Sequence, residues 1–269
     1  VDGIGSGALA LARTCAYAAL TLPLMPLQAL LVALRLPAAA ALPRWYHARC
    51  ARLFGLDIRV QGAAPSGHPT LFVSNHVSYL DIIVLSAVSE VSFVAKREIA
   101  GWPFFGWLAK LQRTVFVERR ARAVGREADD LQKRLAAGGS VVLFPEGTTG
   151  DGNRARRFKS ALFAAAEPAQ GGPAVAVQPV TIAYTRLDGM PLCRGLRPAI
   201  AWYGDMDLLP HLWALLGLGR IGVDVIFHAP TSLAVAGSRK SLAHQCEAAI
   251  SAALVDANAG RLPAPAGAA

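Results

Sequence analysis

The stretch Pro69–Glu90, PTLFVSNHVSYLDIIVLSAVSE, decides the fold. Its first half, PTLFVSNH, carries a short unbroken apolar run and reads as a buried strand, since a strand covered on both faces needs no polar alternation. SYLDIIVLSAVSE reads as a helix opening on Ser78. Ser78 as N-cap with Asp81 three residues on approximates a capping box, although Asp is shorter than the usual Glu. That accounts for Ser78 and Asp81 and leaves Asn75 and His76 over. On an ideal helix, residues five apart diverge by about 140°. If the helix starts at Ser78, however, His76 lies in the preceding turn, where it can fold back within reach of Asp81. A carboxylate on one ring nitrogen fixes the tautomer and leaves the other nitrogen free to take a proton. On this stretch alone, a helix cap with a spare histidine and a held catalytic base are both open.

Outward from there the strand–helix pattern repeats. VSFVAK (91–96) and TVFVER (114–119) read as strands, with GWPFFGWLAKLQ (101–112) as a helical turn region between them. RAVGREADDLQKRLAAGG (122–139) reads as a surface helix closed by glycine. SVVLFPEG (140–147) is a strand, followed by a polar loop from Thr148 to Arg157 and a helix from about Lys159. AVAVQPVTIAYT (174–185) and IGVDVIFHAP (221–230) add strands, and Ser238–Asn258 makes a last helix. Short apolar strands alternating with helices predict an α/β fold, its sheet covered on both faces. GLGRIG (217–222) matches a dinucleotide fingerprint, but its order is helix, glycines, strand, the reverse of what such a site needs. No G-x-S-x-G, Walker A or H-E-x-x-H occurs, so nucleophile-elbow, nucleotide and zinc-protease chemistries lose their markers.

The 269 residues are 54% hydrophobic and 17% charged, yet carry a net charge of +9. Mean hydropathy is +0.38. A basic and greasy chain points to an anionic, apolar partner, and a membrane surface fits that better than nucleic acid. From Thr14 to Leu34 there is no charge, about the length a spanning helix needs. Pro23 and Pro26 interrupt that run, which predicts a break there: a helical hairpin or re-entrant anchor in one leaflet, with a single bent span as competitor. A secretory leader fits less well, because LPAAAALP lies far in and lacks a clear basic region before it. The composition divides the chain into an apolar anchoring segment (1–44), an α/β domain (45–258) and a Pro/Ala/Gly tail (259–269). Cys15, Cys50, Cys193 and Cys246 form no C-x-x-C, and three of them sit in or beside apolar stretches, where a buried free thiol is expected.

Three further blocks bear on His76. Glu118, Arg119 and Arg120 close one strand, Pro145, Glu146 and Gly147 close another, and Pro179 lies inside a third. Open α/β sheets bind ligands at such strand ends. Taken in order, the blocks resemble the lysophospholipid acyltransferase family typified by bacterial 1-acylglycerol-3-phosphate acyltransferase. Its N-H-x-x-x-x-D block is met by Asn75, His76 and Asp81. The strand ending in acid-arginine is met by Glu118 and Arg119, F-P-E-G-T by Phe144–Thr148, and the proline-bearing strand by Pro179. The likeness covers about Leu53 to His228. One departure is Thr149, where the family commonly has Arg, which removes a candidate phosphate contact; either Arg154, Arg156, Arg157 and Lys159, which follow closely, substitute for it, or the acceptor carries no phosphate. WYGDMDLLPHLW (202–213) is similar to members that acylate lyso-ornithine lipid.

The resemblance implies a mostly parallel central sheet flanked by helices, with an N-terminal membrane-anchoring helical segment. It implies acyl transfer from acyl-CoA or acyl carrier protein to a lysolipid hydroxyl, 1-acylglycerol-3-phosphate first and lyso-ornithine lipid as the alternative acceptor. His76 would be the base and Asp81 its orienting partner. Asn75, Lys96, Arg119, Glu146, Gly147 and Thr148 would bind substrate, with no metal or tightly held cofactor. The setting implied is the cytoplasmic membrane, monotopic or single-pass, with the catalytic domain facing the cytosol. A non-catalytic membrane lipid-binding protein and a thioester hydrolase are the rival readings.

Overall fold

The computed structural model describes residues 5–63, 69–117, 131–168 and 174–262. Its first element, α1 (Gly7–Ala33), opens on Ser6, whose hydroxyl accepts from the Leu9 amide. α1 runs unbroken through Pro23 and Pro26, so the break expected at the prolines does not occur. An interior proline costs a helix roughly 3 kcal/mol, and polar clamps on either side of the pair hold the helix in place. Thr21 and Tyr46 hydroxyls pair at 2.9 Å, and Gln28 Nε2 donates to the Ala39 and Leu111 carbonyls at 3.0 and 3.1 Å. The chain reverses later, at residues 34–37, and returns as α2 (Ala38–Leu53), which runs on past position 44. A helical hairpin is therefore present, with its turn about ten residues beyond the prolines and a second arm carrying Arg44, Arg49 and Arg52.

The α/β layer follows: β1 (Leu56–Gln61), β2 (Thr70–Ser74), α3 (Leu80–Val88), β3 (Val91–Lys96), α4 (Phe105–Leu111), β4 (Val115–Val117) and β5 (Ser140–Leu143). Then come β6 (Ala176–Leu187), β7 (Met190–Pro191), α5 (Leu208–Leu216), β8 (Ile221–Phe227), α6 (Leu233–Ala236) and α7 (Arg239–Asn258). The sheet order is β1-β8-β6-β2-β5-β3-β4, with β7 pairing the far end of β6. All ladders are parallel except β6 with β8 and β6 with β7. β1 is an edge strand the sequence reading passed over, although Leu56, Ile58 and Val60 alternate with Asp57, Arg59 and Gln61. The helix expected from Lys159 is a 3-10 helix, Ser160–Ala166. Of the surface helix over 122–139, residues 131–136 are helical and Gly138 closes the run at φ 83°, whereas its start lies outside the described residues.

Two apolar layers sandwich the sheet. One packs α1, α2, α3 and α5 against Phe72, Val142, Val180, Ile182, Val223 and Val225. The other packs 131–135, Phe158, Phe163 and α7 against Leu71, Val73, Val141, Leu143 and Val177. Alternate residues of β2 thus face opposite layers, as a doubly covered strand requires. Pro179 sits in this core without a donor for β8, and Gln178 fills the gap. The His228 amide donates to Pro179 O at 3.0 Å, while Gln178 Nε2 donates to His228 O at 2.8 Å. Cys50 and Cys246 are buried and Cys15 and Cys193 are exposed, so two thiols are enclosed where three were expected.

Candidate active site

β2 and β5 are adjacent and parallel, with Val73 beside Leu143, so the two chains leave the sheet together at its carboxyl end. Asn75, the first residue beyond β2, turns its carboxamide into the sheet. Its Oδ1 accepts from Ile182 N–H and its Nδ2 donates to Ile182 O, both at 2.9 Å. The side chain stands in for the next peptide of the strand, so β6 keeps its hydrogen bonds while the β2 backbone turns away. Asn75 is fully buried, with both ends of its amide on Ile182. The structure places it in the frame of the site.

That turn delivers His76. Its Nδ1 lies 2.7 Å from Asp81 Oδ2, and the same oxygen accepts the backbone N–H groups of Val77 at 2.7 Å and Ser78 at 3.0 Å. Asp81 Oδ1 accepts the Tyr184 hydroxyl at 2.7 Å. With a carboxylate on Nδ1, that nitrogen carries the ring proton and Nε2 keeps its lone pair. The imidazole stacks on Phe144, centroids 3.9 Å apart and planes 11° apart. It keeps 20% of its side chain exposed, whereas Asp81 keeps none. One half of the expected capping box is formed, since the carboxylate reaches back to the Ser78 amide. The other half is not: α3 starts at Leu80, and the buried Ser78 hydroxyl makes no hydrogen bond among the described residues.

The second strand end supplies the floor. Pro145 presets φ for a tight turn closed by Gly147 N–H to Phe144 O at 3.1 Å, and Gly147 then takes φ +72°, where a side chain would be strained. Glu146 turns inward, and its Oε1 accepts the His76 amide at 3.3 Å. Burial pushes its carboxyl up to about 8 against the pull of the His76 and Arg156 amides, and the Asp81 charge adds to the rise. Beyond the turn, Gly150 N–H bonds His76 O at 2.8 Å, lacing the two strand ends together.

His76, Asp81, Glu146 and Gly147 therefore meet. Thr148 is exposed on the turn, Thr149 half-buried beside it, and Lys96 exposed at the end of β3, two strands from β2. Glu118, Arg119 and Arg120 lie outside the described residues. Tyr184, which no motif marks, joins the site, and Phe144 of the F-P-E-G-T block adds its ring beneath the imidazole. Tyr184 had one signal: a tyrosine in an apolar strand needs a partner for its hydroxyl. The segment after β7 also comes back to the site. Trp202 N–H donates to Val77 O at 3.0 Å, and the Tyr79 hydroxyl pairs with His211 Nδ1 at 3.0 Å. Trp202 in turn packs edge-on to Trp102. Among the described residues no group of three or more His, Cys, Asp or Glu side chains is placed to hold a metal.

The chain thus carries an N-H-x-x-x-x-D turn at the carboxyl edge of a mostly parallel sheet, and sequence comparison supplies the class of protein. Residues 57–183 match the family model described as Acyltransferase. The chain is 48% identical over 250 residues to a lyso-ornithine lipid O-acyltransferase of Brucella abortus, covering 91% of this chain and 94% of that one. This protein belongs to the acyltransferase family, on the lysolipid-acylating side of it. A lyso-ornithine lipid O-acyltransferase of Rhizobium meliloti is also 48% identical, covering 77% of this chain and 72% of that one. A 1-acyl-sn-glycerol-3-phosphate acyltransferase of Neisseria gonorrhoeae is 33% identical, covering 76% and 78%. The crystal structure of the 1-acyl-sn-glycerophosphate acyltransferase of Thermotoga maritima shares the fold, with a TM-score of 0.60 at 21% identity over 80% of this chain and 78% of that one.

Proposed function

We propose that the protein transfers a fatty acyl group from a thioester donor, acyl-CoA or acyl carrier protein, to the free hydroxyl of lyso-ornithine lipid. The observation that carries the chemistry is the 2.7 Å contact of His76 Nδ1 with Asp81, which leaves Nε2 as the proton acceptor at a ligand-binding sheet edge. Nε2 removes the hydroxyl proton as the oxygen attacks the thioester carbonyl. The C–S bond then breaks, and the imidazolium returns that proton to the leaving thiolate. General-base assistance of this kind contributes about 10²–10⁴-fold. Asp81 steadies the charged ring, Tyr184 steadies Asp81, and Glu146 and Gly147 shape the wall on which the acceptor rests.

Phosphate recognition favours an arginine fork, and Thr149 occupies the position where the family commonly has one. That departure, the names of the most similar relatives and the packing of 202–211 on the catalytic turn all support an ornithine head group over the phosphate first expected. The Neisseria relative keeps lysophosphatidate as the second reading. α1 gives the protein its membrane attachment, with the site turned to the cytosol.

The test is purified protein given lyso-ornithine lipid and lysophosphatidate in parallel, with a labelled thioester. Label enters the ornithine lipid, and His76→Ala abolishes this while leaving the fold intact by circular dichroism. Label only in phosphatidate would replace the acceptor, and free fatty acid alone would make the protein a hydrolase.

A further inference from the structure

With a phosphate-free acceptor, the densest run of cations beside the site is left without a ligand. Arg154, Arg156, Arg157 and Lys159 fall within six residues, and all four are exposed. None is held in a salt bridge among the described residues, and Arg156 lies near enough to Glu146 to act on its carboxyl.

The run is a fixed strap. Gly150 N–H ties its near end to His76 O at 2.8 Å, and Lys159 N–H ties its far end to Pro145 O at 3.0 Å. Between them Phe158 is buried in the α7 layer, and its amide donates to Glu247 at 2.7 Å. Buried Arg197 pins the base of the strap, donating to Asn153 Oδ1 at 2.7 Å and to the Leu192 and Asn258 carbonyls at 2.9 and 3.1 Å. Phe158 thus points in while the four cations stand outward.

Position decides what meets them. The strap belongs to the layer of α7, across the sheet from α1, α2 and α5. Leu11, Leu22, Leu30, Leu209 and Trp213 are exposed on α1 and α5, in the opposite layer, against Val235 and Val255 on α6 and α7. A bilayer gripped by α1 therefore leaves the strap toward water, on the side from which a soluble donor arrives. Its cations line neither the apolar cavity beneath α1 nor the polar cleft beside Arg59 and Arg220. They form an open row spanning at most about 20 Å, the length of about thirteen residues of helix.

We propose that the strap over 154–159 docks the acyl donor, and that this donor is an acidic carrier protein whose helix lies along the row while its thioester arm reaches His76. A nucleotide would need converging contacts in a cleft, which an outward row does not offer. The inference rests on the acyltransferase reading and on its phosphate-free acceptor.

The test uses the full chain in lipid nanodiscs and a triple variant, Arg154→Glu, Arg157→Glu and Lys159→Glu, sparing Arg156 because it neighbours Glu146. Titration with fluorescent acyl carrier protein gives a Kd that rises roughly tenfold or more in the variant, together with loss of the salt dependence seen in the wild type. The KM for acyl carrier protein rises in parallel, while kcat at saturating donor and KM for the lysolipid stay the same. The corresponding triple Gln variant shifts the Kd part of the way, which separates charge from misfolding. An unchanged Kd overturns the proposal. An equal rise in KM for acyl-CoA would instead make the strap a phosphate site, and loss of binding to phosphatidylcholine–phosphatidylglycerol vesicles would make it a membrane contact. Should the wild type acylate only lysophosphatidate, the acceptor reading falls, while the carrier-protein titration still judges the strap.

Discussion

Asp81 is the residue on which the site turns, since one buried carboxylate answers a ring, two amides and a phenol. Tyr184 holds it from the sheet side. Burial, reinforced by the Asp81 charge, raises the phenol well above its usual range, so it stays protonated and donates. Tyr184→Phe removes that donor and leaves a buried carboxylate oxygen bare, at a cost of about 1–3 kcal/mol. The expected result is a lowered Tm together with a kcat reduced roughly tenfold, with KM for both substrates held. An unchanged kcat would confine Tyr184 to stability. Glu146 offers a pH test. Its folded carboxyl keeps its proton up to about 8, against 4.5 for the ordinary group. Between those values the folded state binds a proton that the unfolded chain has released, so stability falls as pH rises through the window. Glu146→Gln removes that slope. Thermal melts from acid to alkaline pH should show the variant gaining on the wild type as pH increases, and parallel curves would contradict the assignment.

At the scale of elements, what the sequence made legible follows local chemistry. TLFVS, VSFVAK and IGVDVIF became strands as read, and α7 begins one residue after the Ser238 expected to open it. The His76–Asp81 pair was legible because five residues spanning a strand exit and a helix start can fold only a few ways. The partners of Asn75 and Tyr184 were not legible, because they lie 107 and 103 residues away. No local pattern encodes which strand lies next to which. The prolines of α1 were misjudged for the same reason: propensity gives the cost of the break, while Tyr46, Ala39 and Leu111, which offset it, come from elsewhere in the chain. Asn75→Ala tests the handover from strand to turn. Losing both bonds to Ile182 should cost on the order of 3 kcal/mol. Amide exchange at Ile182 should speed up in the variant, and unaltered protection there would show that β6 does not depend on the side chain.

For the whole molecule, the two layers divide the labour: one carries the apolar helix, the other the basic strap. α1 is 27 residues long, about 40 Å at 1.5 Å per residue, and only 11% of its most apolar window is buried. Attachment through such a surface is apolar and little affected by salt. Flotation with vesicles should therefore persist after a high-salt wash and fail only in detergent, and release by salt alone would mean that charge, not α1, does the anchoring. The hydrogen bonds that build the site also set when it can exist. His76 to Glu146, Asn75 to Ile182 and Asp81 to Tyr184 close loops of 70, 107 and 103 residues. Contacts of such separation form late, after the intervening chain has been ordered. A chain still emerging during synthesis thus lacks the assembled candidate site until β6 has docked, so the proposed activity can begin only after residues 176–187 have left the ribosome and paired.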